Sequence, residues 1–287
     1  MEIGANRQGL ASATLIKIIA LFFMTLDHLG AYGFELPVIR SNTSLLRLAG
    51  RIAAPLFLFF VVESMKHTKD RKRLLVRLYC AAMITGVCNA IVAACFSFQV
   101  SFGNIYQSYV WVICIILLLD KTILYFKNNQ IVRSVCTGVG GVLLVLLIHL
   151  WDTLLLDYYS LSRLTDLDIQ VWRIVHLISR VFVFPPRSVE YSVLFLALGV
   201  IWYYQKSKAI QCVTLFVFCV LGFCGIGNNI PMFSFIAGNQ WVMIGAIIPI
   251  LLYNGKYGSG YKYFFYIYYP VHGYVIAGLQ YLYLMMG

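Results

Sequence analysis

Nine apolar runs, joined by short polar connections, leave this chain only one kind of environment in which to fold. The runs fall at 15–34, 45–65, 74–96, 105–120, 131–150, 188–205, 209–226, 240–253 and 263–285. A helix needs about 20 residues to cross ~30 Å of hydrocarbon, and most of these runs reach or approach that length. The run 240–253 is short and must borrow from its flanks. Only 11% of the residues are charged and the mean hydropathy is +0.82. A water-soluble domain carries about 25% charged residues, too many for this chain to imitate. The expected fold is all-α: a polytopic transmembrane helix bundle of about nine spans, forming a single domain over residues 1–287.

The net charge of +11 is explained by topology rather than by a nucleic-acid partner. The connection "KHTKDRKRLLVR" holds Lys66, Lys69, Arg71, Lys72, Arg73 and Arg77, so it is assigned to the cytoplasm. Counting spans from there puts the N-terminus, 121–133, 206–208 and 254–262 on the same side. These inner segments then hold 15 of the 22 Lys and Arg. The expected location is therefore the cell's cytoplasmic (inner) membrane, multi-pass, with the N-terminus cytoplasmic. Residues 1–14 are polar and lack a small-residue cleavage site, so the first run is expected to remain as a span. The eight cysteines lie almost wholly inside apolar runs and form no CxxC pair. They are expected to pack as small hydrophobes, and no metal site is expected. Residues 151–187 fall outside and include "DIQVWRIVHLISRVFVFPPR". There Arg173, His176 and Arg180 share a helix face, which predicts an amphipathic helix in the outer interface or re-entering the bundle, stopped by Pro185–Pro186.

Ionisable groups inside the spans are the candidate functional residues, because a charge at that depth costs at least ~2.5 kcal/mol. At ~1.5 Å per residue from the inner surface, Asp27 and His28 in "MTLDHLGAY" lie about 15 Å deep. Lys17 begins the same span, eleven residues earlier and on the face of His28. On the second span Arg51 lies at about 22 Å and Glu63 at about 5 Å, so Arg51 is matched with Asp27 and Glu63 with Lys17. His272, just after Pro270, comes to about 15 Å on the last span, level with His28. A polar cavity lined by Asp27, His28, Arg51 and His272 is the expectation. An Asp–Arg clamp without chemistry is the bland alternative.

Three ordered stretches resemble the TraX family: "LIKIIALFFMTLDHLGAYG", "LLRLAGRIAAPLFLFFVVESMKHTKDRKRLLVRL" and "YNGKYGSGYKYFFYIYYPVHGYVIAGL". The namesake of that family is a conjugal-transfer membrane protein that acetylates the pilin N-terminus. The spacing of Lys17 and His28 is also similar to the basic residue and histidine on the first helix of the wider transmembrane acyltransferases. The resemblance implies acetyl-CoA as acyl donor and chemistry inside the bilayer. The expected catalytic residues are His28, Asp27 and His272, with a neutral His28 able to act as general base at that depth. Donor binding is expected at Lys17, Arg51, Glu63, Lys256 and Lys262; of these Lys17, Lys256 and Lys262, together with the 66–77 connection, put cations near the inner surface, which suits a polyanionic ligand. The other expected partners are the lipid bilayer and an acceptor of unassigned identity, an amine or hydroxyl arriving from the external side. Direct transfer and an acetyl-histidine intermediate both remain open. Two other classes compete with the enzyme. One is a proton-coupled secondary transporter, although no internal repeat is evident. The other is a structural subunit of an envelope assembly.

Overall fold

A computed structural model describes residues 10–95, 102–161, 166–185, 189, 193–224, 239–256, 258 and 262–286. The described elements are helical, apart from an isolated parallel bridge between Ala11 and Tyr253. In chain order they begin with α1 (Ala13–Tyr32), α2 (Pro37–Arg40), α3 (Thr43–Gly50), α4 (Ala53–His67) and α5 (Arg71–Cys95). Next come α6 (Ile105–Lys127), α7 (Ile131–Leu161), α8 (Asp166–Ile178) and a π-helical turn, Ser179–Val183. Then follow α9 (Val193–Tyr204), α10 (Lys208–Phe223), a 3-10 segment (Asn239–Ala246), α11 (Ile247–Leu252) and α12 (Lys262–Met286).

Among the described residues five stretches are long and apolar enough to cross a membrane, the second of them made of α3 and α4 together: Ala13–Tyr32, Thr43–His67, Arg71–Cys95, Ile105–Lys127 and Ile131–Leu156. The described residues of the nine expected runs fall mainly on helical segments, but four of the runs do not meet that standard. Val193–Tyr204, Lys208–Phe223 and Asn239–Leu252 are shorter apolar helices. The twelve residues of α9 extend only ~18 Å. The 25-residue α12 has the length, but Pro270, His272, Gln280 and its tyrosines dilute its apolar character.

The chain forms two compact units. The first comprises Met1–His67, Phe98–Phe102 and Ile201–Gly287; the second comprises Thr68–Ser97 and Gly103–Val200. In the first, α1 packs on α3, α4 and α12, and α10 packs on α11 and the 3-10 segment. Ile16, Leu56, Phe59, Met65, Trp202, Leu215 and Met243 are fully buried at its core. Trp202 and Gln211 clasp each other, each side-chain nitrogen donating to the other's backbone oxygen at 2.9 and 2.8 Å. The second expected span is broken between α3 and α4. Pro55 has no N–H to give to the carbonyl of Arg51, and its ring crowds that oxygen. Residues 51 and 52 instead make tighter bonds, Arg51 N–H to Leu48 and Ile52 N–H to Ala49 (3.2 and 3.3 Å).

In the second unit α5, α6 and α7 pack in succession, and α8 with its π turn packs on α7 and α5. The outward residues of α7 are almost all large and apolar, Leu143, Leu146, Leu147, Leu150 and Leu154 among them, as a lipid-facing helix requires. The fifth run was expected to end at 150, but its helix continues to Leu161 before α8 begins. Three side chains hold the π turn and its end in place. Gln107 donates to the Arg180 carbonyl at 2.9 Å, Tyr79 to that of Phe182 at 2.9 Å, and Trp111 to that of Phe184 at 2.8 Å. Phe184 ends the turn in the left-handed region at φ 56°. Pro186 lies outside the described residues.

Candidate active site

The site is built on α1 and α12, two helices that pack directly against each other in the first unit. Ser12 caps α1, its hydroxyl accepting from the Leu15 N–H at 3.4 Å. The buried positions Ile16, Ala20, Met24 and His28 then recur every four residues and turn one stripe of α1 inward. On α12 the inward stripe carries Tyr269, His272, Gly273 and Ile276. Gly273 is what allows close approach there, since a Cβ would come within 3.3 Å of the Tyr32 ring and 3.7 Å of His28 Nδ1.

His28 and His272 meet across this contact. Both are 8% exposed, and His28 Nδ1 lies 2.6 Å from His272 Nε2. The rings are nearly parallel, 7° apart with centroids at 4.5 Å. The other nitrogen of His272, Nδ1, lies 2.6 Å from the carbonyl oxygen of Tyr268. The Tyr268 ring stacks on His272 at 4.8 Å. Its hydroxyl lies 2.8 Å from that of Thr25, which donates to the Leu21 carbonyl at 2.8 Å and so ties the pair back to α1. One helical turn beyond His28, Tyr32 packs on the imidazole at 4.9 Å and Phe102 packs on Tyr32 at 5.0 Å. The result is two imidazoles, 244 residues apart in sequence, joined by one hydrogen bond in an aromatic enclosure. Such a pair can accept a proton at one ring and spread the charge over both.

Asp27, read as a catalytic candidate, is turned away from the histidines toward α3. Its Oδ2 accepts from Arg47 Nη1 at 2.7 Å, with side-chain exposures of 14% and 36%. Arg47 therefore replaces the expected Arg51. The two arginines lie four residues apart on neighbouring turns, so depth alone cannot choose between them. The helix break at residues 51–52 leaves Arg51 as a second, non-contacting positive charge near the carboxylate. The Oδ1 of Asp27 is buried without a hydrogen-bond partner and lies against Gly50.

The expected Glu63–Lys17 pair does not form. Glu63 bonds within its own helix, to Lys66 at 3.5 Å and His67 at 3.4 Å, because residues three and four apart are the nearer partners. Lys17 instead holds its ammonium 5.1 Å from the Phe60 ring centre and 5.6 Å from that of Phe265. No carboxylate among the described residues pairs with it. At the start of α1, Ala13 N–H donates to the Lys256 carbonyl and Asn254 N–H to that of Ala11, both at 2.9 Å. The Lys256 side chain is exposed, and Gly255 and Gly258 take φ of 76° and 75°. A Cβ on Gly258 would stand 2.7 Å from the Thr14 hydroxyl. The side chain of Lys262 lies outside the described residues. An ammonium held by aromatic faces alone, with a second lysine exposed near the start of the same helix, fits a ligand that brings its own negative charge.

Sequence reasoning missed Arg47, Tyr268 and Tyr32. Arg47 shares the spacing logic of Arg51, and Pro55 was the available sign that α3 and α4 would part. Nothing in the sequence distinguishes Tyr268 and Tyr32 from the other tyrosines of these helices.

The sequence model of the family described as TraX protein matches residues 12–165, more than half of the chain. No curated protein and no solved structure matches it.

Proposed function

We propose that this chain, which belongs to the TraX family, is a multi-pass acetyltransferase of the cell membrane with its N-terminus in the cytoplasm. It would take acetyl from cytosolic acetyl-CoA and pass it to an amine or hydroxyl of an acceptor from the external side, such as a pilin-like peptide, a saccharide or a small molecule. The observation that carries this reading is the buried hydrogen bond between His28 and His272, 2.6 Å long. Intramembrane ionisable groups are expensive to place and are kept where they serve a site.

In this reading His28 is the general base. It takes the proton from the acceptor's N–H or O–H as that atom bonds to the thioester carbonyl carbon. The carbon–sulfur bond then breaks, and His28 returns the proton to the departing sulfur, giving the acetylated acceptor and free CoA. Lys17 and Lys256 supply positive charge for the donor's phosphates at the inner end. Lys262, at the start of α12, is assigned the same part. Asp27 acts through structure, holding α1 against α3 by way of Arg47. Arg51 and Glu63 have no contact with the histidine pair among the described residues, and the proposal gives them no direct part in donor binding.

The deciding experiment is acetyl-CoA turnover by detergent-purified protein, wild type against His28→Ala. Turnover in the wild type and a loss on the order of 10²-fold or more in the variant is expected. Full activity in the variant removes His28 as base. Absence of turnover together with proton-coupled flux in proteoliposomes would favour a transporter.

A further inference from the structure

We infer that His272 is a positioning residue that fixes His28 as its Nδ1–H tautomer, leaving Nε2 of His28 as the one bare nitrogen of the pair. The argument starts from an oxygen. The Tyr268 carbonyl can only accept, so His272 Nδ1, 2.6 Å away, carries the hydrogen between them. A neutral imidazole has a single N–H, so His272 Nε2 is then an acceptor. His28 Nδ1, 2.6 Å from that acceptor, must be the donor. His28 Nε2 is left with its lone pair. No carboxylate among the described residues touches either ring, since Asp27 is bound to Arg47. Among the described residues no negative charge lies against the pair to favour a resting imidazolium over this neutral chain.

The order of donors also gives the pair a direction. When His28 Nε2 takes a proton, its Nδ1 hydrogen can shift onto His272 Nε2, and the charge spreads toward the Tyr268 carbonyl and the stacked Tyr268 ring. When Nε2 gives its proton up, the same hydrogen returns and no net charge remains. The consequence for acetyl transfer rests on the reading above; the tautomer does not.

The tautomer can be read directly by nitrogen NMR of the full chain labelled with 15N-histidine, with His28→Gln used to assign the His28 signals. Wild type is expected to show His28 protonated at Nδ1 and bare at Nε2. His272→Gln should keep that state, because its side-chain oxygen can accept the same hydrogen bond. His272→Leu should move the hydrogen to Nε2. A His28 found protonated at Nε2 in the wild type, or unchanged in His272→Leu, overturns the inference. If the leucine variant does not fold, the wild-type tautomer decides alone. In the turnover assay His272→Gln should stay within about tenfold of wild type and His272→Leu should fall on the order of 10²-fold. Absence of turnover in the wild type overturns the acetyltransferase reading and leaves the tautomer result standing.

Discussion

Gly50 lies flat against Asp27: a Cβ added to it would stand 2.6 Å from the Asp27 Cα and 2.7 Å from Oδ1. The buried Oδ1 thus has no hydrogen-bond donor, and α1 and α3 approach so closely at this point that a side chain on residue 50 has no room. Gly50→Ala must push them apart, at a cost of about 1–3 kcal/mol. The proper control is Gly140→Ala on α7, where a Cβ meets nothing within 4 Å. Thermal unfolding in detergent should show a clear loss for the first variant and none for the second, since alanine favours a helix where there is room.

The two arginines of this region should separate cleanly. Arg47→Leu leaves the Asp27 carboxylate without its charged donor and should destabilise by about 1–3 kcal/mol. Arg51→Leu should cost much less. Adding Asp27→Asn to Arg47→Leu should recover part of the loss, because the stranded charge is then gone. Equal effects of the two arginine variants would contradict the assignment.

Tyr268 supports His272 with its backbone oxygen, so removing its hydroxyl should matter little. Tyr268→Phe keeps the carbonyl and the stacked ring and loses only the bond to Thr25. The expected cost is about 1 kcal/mol of stability, with turnover within tenfold of wild type. A collapse of turnover in Tyr268→Phe would mean that the phenol itself takes part in the chemistry.

Lys17 is held between two rings without a carboxylate among the described residues. If it serves an anionic donor, Lys17→Ala should raise KM for acetyl-CoA more than it lowers kcat, and Lys17→Arg should restore most of the loss. Equal falls in kcat for both, with KM unchanged, would detach Lys17 from donor binding.

In the second unit, burial and then the Arg180 charge hold His176 below its ordinary value of 6.5, with Asp152 opposing them. The unfolded chain therefore binds more protons than the folded one just below that value, and stability falls as the pH drops through it. The thermal midpoint should decline on acidification from about pH 7.5 to 5.5. In His176→Gln the decline should be shallower, and identical slopes would place the sensitivity elsewhere.

Much of this protein follows from its sequence alone. The apolar runs fix an all-helical chain, because inside hydrocarbon each backbone amide must find its partner within its own segment. The depths of His28 and His272 could be counted along their helices at a constant rise per residue, so that the two fall level needed no tertiary knowledge. Partner choice was beyond such counting. Arg47 and Arg51 lie on neighbouring turns, and the way α3 packs on α1 decides which one reaches Asp27. Glu63 had partners within its own helix, so Lys17 was left to Phe60 and Phe265, a pairing set by how α1, α4 and α12 pack. The hydrogen bond between the two imidazoles belongs to the same class. Sequence fixes distance along a helix axis, whereas rotation and separation between helices depend on side-chain packing, down to the missing Cβ of Gly50 and Gly273.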